Sequence, residues 1–264
     1  MKFFRWIIYA FAVIGFVMVA GYFAIRFGWT NTPGIIDSQR ESFLNGATTT
    51  PSWTQSDEWQ TFKIAVVKDK ADIGRAAVLS GVPSRLIVAN LAVEQLRLFY
   101  TDREIFEKVF APLKILGDQS QFSWGVMGIK QDTAVAIESH LKDASSPFYL
   151  GATNEHLLDF KTSDPDSERF ARLTDDKSRF YSYLYGGLCL KQVITQWKNA
   201  GYDISARPDV VSTLFNIGFD HSLPKANPQV GGAEIDIAGE THSFGELAGE
   251  FYASNELVDQ FPRI

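Results

Sequence analysis

A chain of 264 residues that is 45% hydrophobic and 14% aromatic, with 21 Phe, is long enough to bury a sizeable core and rich in rings to pack there. Its formal net charge of −6 argues against general affinity for nucleic acid or anionic lipid. Cys189 is the one cysteine, which excludes an intramolecular disulfide; with four scattered His it offers no metal-ligand spacing, so neither a metal nor a cofactor is expected.

The chain begins with Lys2 and Arg5 ahead of a charge-free apolar run over 6–25, about the length a helix needs to cross a bilayer. Trp6, Tyr9, Tyr22 and Trp29 gather toward its ends, as aromatics do at membrane interfaces. The amino terminus, Lys2 and Arg5 outweigh Arg26, so the positive-inside rule places the N-terminus in the cytoplasm. Residues 1–29 are therefore expected to be a single-pass signal-anchor in the cell membrane, with the rest of the chain extracytoplasmic. A cleaved signal peptide is the alternative, but the run is long for one and no A-x-A site follows it. No Cys lies nearby to carry a lipid.

Residues 30–56 are polar and turn-rich and predict a tether, with the folded domain over 57–264. Short helices are expected over 59–70 and 71–80, stopped by Gly81. Further helices are expected over 103–116, broken around Pro112, and over 131–142, 178–200, 208–216 and 244–258, with a loop over 118–128 and a loop-rich stretch holding short helical pieces over 145–176. Cys189 falls in an apolar run and reads as a small buried hydrophobe. Glu234 to Glu240 alternates and turns at Ala238-Gly239, which predicts a small β-hairpin. The fold class is mostly α, one membrane helix followed by a helical domain with a small C-terminal β-hairpin.

Residues 82–100 are the centre of this pattern. Pro83 suits the first turn, and the apolar residues from Leu86 to Phe99 leave almost no polar face, as in a buried helix. Asn90, Glu94 and Arg97 form one narrow polar stripe at i, i+4 and i+7. A carboxylate in apolar surroundings suits a general acid working near neutral pH. An i, i+3 ion pair between Glu94 and Arg97 is the structural alternative.

Beyond Glu94 the chain reads Ser123-Trp-Gly-Val-Met-Gly-Ile, then Thr133-Ala134, Tyr185-Gly-Gly-Leu-Cys-Leu and Leu214-Phe-Asn-Ile-Gly218. In this order the pieces resemble the lytic transglycosylase and goose-type lysozyme superfamily, over about residues 72–218. The resemblance implies a lysozyme-like domain that cleaves peptidoglycan glycan strands between MurNAc and GlcNAc. Glu94 would protonate the leaving oxygen and then, as a base, draw the muramoyl 6-hydroxyl onto C1, giving a 1,6-anhydro sugar. The resemblance further implies Ser123 and the backbone of Gly125, Met127, Gly128 and Ile129 along a sugar-binding groove, with Met127 packed beneath it. Phe215 would wall the cleft, and Asn216 would brace its turn.

Three departures stand out. The family's Gln after Met is Gly128, the Tyr of its Y-N-x-G turn is Phe215, and the gap from Glu94 to Ser123 is long, implying an insertion over 103–116. Asp102, Glu104, Asp118 and Asp132 are candidates for a second carboxylate, or solvated acids of loops and helix starts. An acid at Glu94 requires Arg97 to point elsewhere, because a paired guanidinium favours the ionised carboxylate.

A membrane-anchored glycan-binding or scaffold protein with catalysis lost is the competing expectation, based on the missing Gln and Tyr hydroxyl. A helix-turn-helix over 73–83 is a third, opposed by the acidic charge and by a second helix offering only Arg85 and Arg97. Glu240, His242 and Glu246 have no tight metal spacing and read as hairpin surface, and the C-terminal segment is expected to cover one end of the cleft.

Overall fold

The structure, a computed structural model, describes residues 51–55, 57–100, 123–237 and 240–263. The expected membrane span over 1–29, most of the tether and the helix over 103–116 lie outside the described residues. Among the described residues no single helix is long and apolar enough to cross a membrane.

The described chain is mostly helical. A 3-10 turn, Ser52–Gln55, leads into α1 (Asp57–Lys68), α2 (Lys70–Ser80) and α3 (Ser84–Tyr100). A two-stranded hairpin follows, β1 (Ser123–Trp124) and β2 (Ile129–Lys130), then α4 (Gln131–Lys142) and α5 (Pro165–Thr174). The long helix α6 (Phe180–Asn199) and the short α7 (Pro208–Ile217) precede β3 (Glu234–Ile237), β4 (Glu240–Ser243) and α8 (Phe244–Ala253). β3 and β4 pair antiparallel from Glu234–Ser243 to Ile237–Glu240, as the alternation predicts.

α3 is the central element: α1, α2, α6, α7, α8 and β3 all pack on it. Leu86, Ile87, Val88, Ala89, Leu91, Ala92, Val93 and Leu96 are all buried, as a helix apolar on nearly every side requires. Gly81 ends α2 in the left-handed conformation at φ 69°, its N–H on the carbonyl of Ala77. α2 and α3 then meet at 120°, and α3 lies inside the protein, so it cannot enter a DNA groove as a helix-turn-helix would require. Gly187 of α6 lets α2 come close, since a side chain there would meet Ser80 Oγ at 2.5 Å.

Two differences from expectation concern the ends. Trp53 is buried at 1% exposure and its indole N–H donates to Glu250 at 2.9 Å, so the packed region reaches back before residue 57. Trp59 likewise donates to Glu256 at 2.8 Å, and the two indoles meet edge to face at 4.8 Å. At the other end the expected helix over 244–258 stops at Ala253. Arg85, fully buried on α3, donates to the carbonyls of Phe251, Tyr252, Ser254, Glu256 and Phe261 at 2.7–3.0 Å. The last helical carbonyls thus find a cation in place of further N–H donors. Burial, with Arg263 second, lowers the Arg85 guanidinium to about 10, which still leaves it charged at neutral pH. Cys189 is buried as expected, and desolvation pushes its thiol up to about 12.

Candidate functional site

Glu94 lies one helical turn beyond Asn90 on α3, and both are buried, at 3% and 0% exposure. The chain from β1 to β2 turns over this point. Trp124 pairs with Ile129, and the Gly128 N–H reaches the Gly125 carbonyl at 3.3 Å, closing a turn. Gly125 and Gly128 both have positive φ, 65° and 63°, which is why glycines occupy the two ends of the turn. Three neighbours clamp it. Gln95 on α3 donates to the Val126 carbonyl at 2.8 Å, and the Met127 N–H donates to Ser182 on α6 at 3.3 Å. Gly125 abuts the Leu173 carbonyl at the end of α5, where a Cβ would lie at 2.2 Å.

The turn brings Gly128 against the Glu94 carboxylate. A Cβ on Gly128 would stand 2.8 Å from Glu94 Oε2, 2.9 Å from Cδ and 3.2 Å from Oε1. The space a side chain would need here is filled by the carboxylate itself. Met127 is fully buried behind the turn and packs on Gly186 of α6, where a Cβ would meet its terminal methyl at 2.7 Å. Ile129 and Trp124 are buried, and Trp124 meets Phe170 edge to face at 5.2 Å. Ser123 is the first residue of β1, opposite Lys130.

The expected orientation of Arg97 is not observed. Its Nη2 donates to Glu94 Oε2 at 2.7 Å, an i, i+3 pair in which the Arg97 side chain is 23% exposed and the Glu94 side chain 5%. One helical turn puts the two side chains within reach, and the apolar flanks of α3 leave a buried carboxylate no cheaper partner. Held this way, Glu94 is one half of an ion pair, with its Oε2 taken up by Arg97.

Phe215 and Asn216 serve the C-terminal segment. The Phe215 ring is buried at 8% exposure and lies 6.3 Å from Phe244 of α8. Asn216 Oδ1 accepts from the Ala233 N–H at 2.8 Å, which ties the end of α7 to the strand that follows. α7 packs on both α3 and α8, so this segment reaches the central helix through α7 and directly through α8. Of the second-carboxylate candidates, Asp102, Glu104 and Asp118 lie outside the described residues. Asp132 is an exposed acid in the first turn of α4. Glu246 and Ser243 form a capping box at the start of α8, with the Ser243 N–H on Glu246 at 2.8 Å. Among the described residues no group of His, Cys, Asp and Glu is placed to hold a metal ion.

One cluster has no counterpart in the sequence reading. Glu138 on α4 accepts from Arg169 Nε and Nη2, both at 2.7 Å, and from the Tyr185 hydroxyl at 2.5 Å. Burial foremost, then the carboxylate, holds the Tyr185 hydroxyl far above its ordinary range, so it stays a donor. This clamp ties α4, α5 and α6 together behind the β1–β2 turn. The two arginines of α5, Arg169 and Arg172, lie 5.3 and 4.9 Å from the ring of Phe160. Their i, i+3 spacing was the one available signal.

No family model matches this chain, and neither curated proteins nor solved structures give a match.

Proposed function

We propose that the protein is a membrane-anchored, extracytoplasmic enzyme with a lysozyme-like domain that cleaves peptidoglycan glycan strands, with Glu94 as acid and base. The observation that carries this is the meeting of Glu94 with Gly128. Motif pieces 34 positions apart in the sequence come together with the carboxylate against the turn backbone. In a retained-acid mechanism Glu94 protonates the leaving glycosidic oxygen, and its carboxylate then takes the proton of the muramoyl 6-hydroxyl as that oxygen closes on C1. The Gly125–Gly128 turn would present backbone to the sugar, and Met127 would support the turn from behind. The absence of side chains at both ends of the turn lets it pack directly against the Glu94 carboxylate and the Leu173 carbonyl. The test is mass spectrometry of muropeptides after digestion of purified cell wall. 1,6-anhydro ends support the proposal, reducing ends indicate hydrolysis at the same residue, and no cleavage by folded protein refutes it.

A second reading has its own observation. The Glu94–Arg97 pair at 2.7 Å suits a catalytically silent, glycan-binding scaffold. Co-sedimentation with peptidoglycan that leaves the strands intact would favour it.

A further inference from the structure

We propose that Gln95 is a positioning residue for the reaction at Glu94. It fixes the Gly125–Gly128 turn on the helix that carries the carboxylate, and so sets the distance between Glu94 and the backbone that the glycan meets. This rests on the proposed cleavage by Glu94 and adds to it a residue that acts through the turn. Glu94 and Gln95 are consecutive on α3, yet they meet the turn at different places. A Cβ on Gly128 would stand 2.8 Å from Glu94 Oε2. Gln95 Nε2 donates to the carbonyl of Val126, two residues earlier in the turn, at 2.8 Å. Two neighbouring side chains of α3 thus grip the turn, one by contact and one by hydrogen bond.

The turn needs such a hold. It is carried by strands of two residues each, Ser123–Trp124 and Ile129–Lys130, and a hairpin that short does not keep its own shape. The glycines at its ends add backbone freedom, and its closing bond, from the Gly128 N–H to the Gly125 carbonyl, is long at 3.3 Å. The Gln95 bond is also shorter than the one from the Met127 N–H to Ser182, 2.8 against 3.3 Å. Ser182 belongs to α6, and the Leu173 carbonyl against Gly125 belongs to α5, so each ties the turn to a helix other than the one bearing Glu94. Gln95 ties it to α3 itself, where clamp and carboxylate move together. Rate responds steeply to such placement, since a shift of about 1 Å can cost on the order of 10²-fold. Stability responds weakly to the loss of one neutral hydrogen bond from a half-buried side chain. A positioning role therefore shows as a large effect on rate beside a small one on melting.

The experiment measures kcat, KM and melting temperature of the full chain on solubilised glycan strands, for the wild type and three variants. Gln95→Met keeps the length of the side chain without its N–H donor, and Gln95→Asn keeps the amide one methylene short of the turn. Each is expected to lower kcat about tenfold or more, with a smaller change in KM and a melting temperature within a few degrees of wild type. Ser182→Ala releases the turn from α6 while Gln95 still holds it to α3, and is expected to lower kcat less. If Gln95→Met does not fold, Gln95→Asn carries the test. A kcat within about twofold of wild type for the Gln95 variants overturns the inference and leaves the cleavage reading standing. So does a loss confined to KM, or a fall in kcat no larger than that of Ser182→Ala. Absence of cleavage by folded wild-type protein overturns both.

Discussion

Gly128→Ala probes the packing at the centre of the site. The new Cβ would stand 2.8 Å from Glu94 Oε2 and 2.9 Å from its Cδ, closer than real Cβ contacts come. Two costs add. An L-residue held at φ 63° is strained by about 1–2 kcal/mol. Forcing a methyl into a filled position costs about 1–3 kcal/mol more, because Glu94 is held in place by Arg97 and cannot step aside freely. The sum, about 2–5 kcal/mol, corresponds to a fall in melting temperature of about 4–20 °C at the 2–4 °C per kcal/mol typical of a domain of roughly this size. Gly81→Ala is the control, with nearly the same φ, 69°, but a Cβ no closer than 3.7 Å to any neighbour, the end of Lys191. It should show the backbone cost alone. In a Glu94→Ala background the extra cost of Gly128→Ala should disappear, giving a coupling of about 1–3 kcal/mol in the double-mutant cycle. Equal losses for Gly128→Ala and Gly81→Ala, or no coupling with Glu94, would refute the packing argument.

Two further outcomes concern the whole domain. Arg85→Met leaves five carbonyls without their shared cation and should cost about 3–5 kcal/mol, read as a lower denaturant midpoint at unchanged slope. Arg85→Lys, with three N–H donors for those carbonyls, should fall between it and wild type. At alkaline pH, the Cys189 thiol (ordinarily 9.0, here about 12) and the Tyr183 and Tyr185 hydroxyls (ordinarily 10.0, here well above) keep their protons in the folded state. The unfolded chain releases them first, so the folded state binds more protons and stability falls as pH rises from about 9 toward about 12. The limiting slope is about 1.4 kcal/mol per pH unit for each group. Arg85, lowered to about 10, acts in the opposite sense above that pH. Melting curves from neutral pH upward read the net fall.

The helices were legible where period and punctuation agreed. α2 ends at Gly81, α4 runs over the predicted residues, and α3 is buried on nearly every side, because apolar spacing and a left-handed glycine are local signals. The ends of the domain were not. Nothing local marks Trp53 as core, since its partner Glu250 lies 197 positions away, and α8 stops where Arg85 from a distant helix takes its carbonyls. At the site, the burial of Glu94 was readable from the apolar spacing of its helix. The hand of Arg97 was not, because i, i+3 spacing permits both a pair and a divergence, and only the burial around Glu94 decides between them. Gly128 read as a lost amide, and the structure gives it a steric role that a missing side chain cannot advertise in sequence. The Glu138, Arg169 and Tyr185 clamp joins three elements, so no window of sequence contains it.

Glu94→Gln tests the catalytic role most directly. The amide keeps the shape and an acceptor for Arg97 but has no proton to transfer, so one preparation gives both a melting curve and a rate of cell-wall cleavage. A catalytic Glu94 predicts a loss of about 10²–10⁴-fold or more in cleavage, with glycan binding retained and the melting temperature within a few degrees of wild type. Cleavage retained together with a markedly lower melting temperature would contradict it and leave Glu94 and Arg97 as a structural pair.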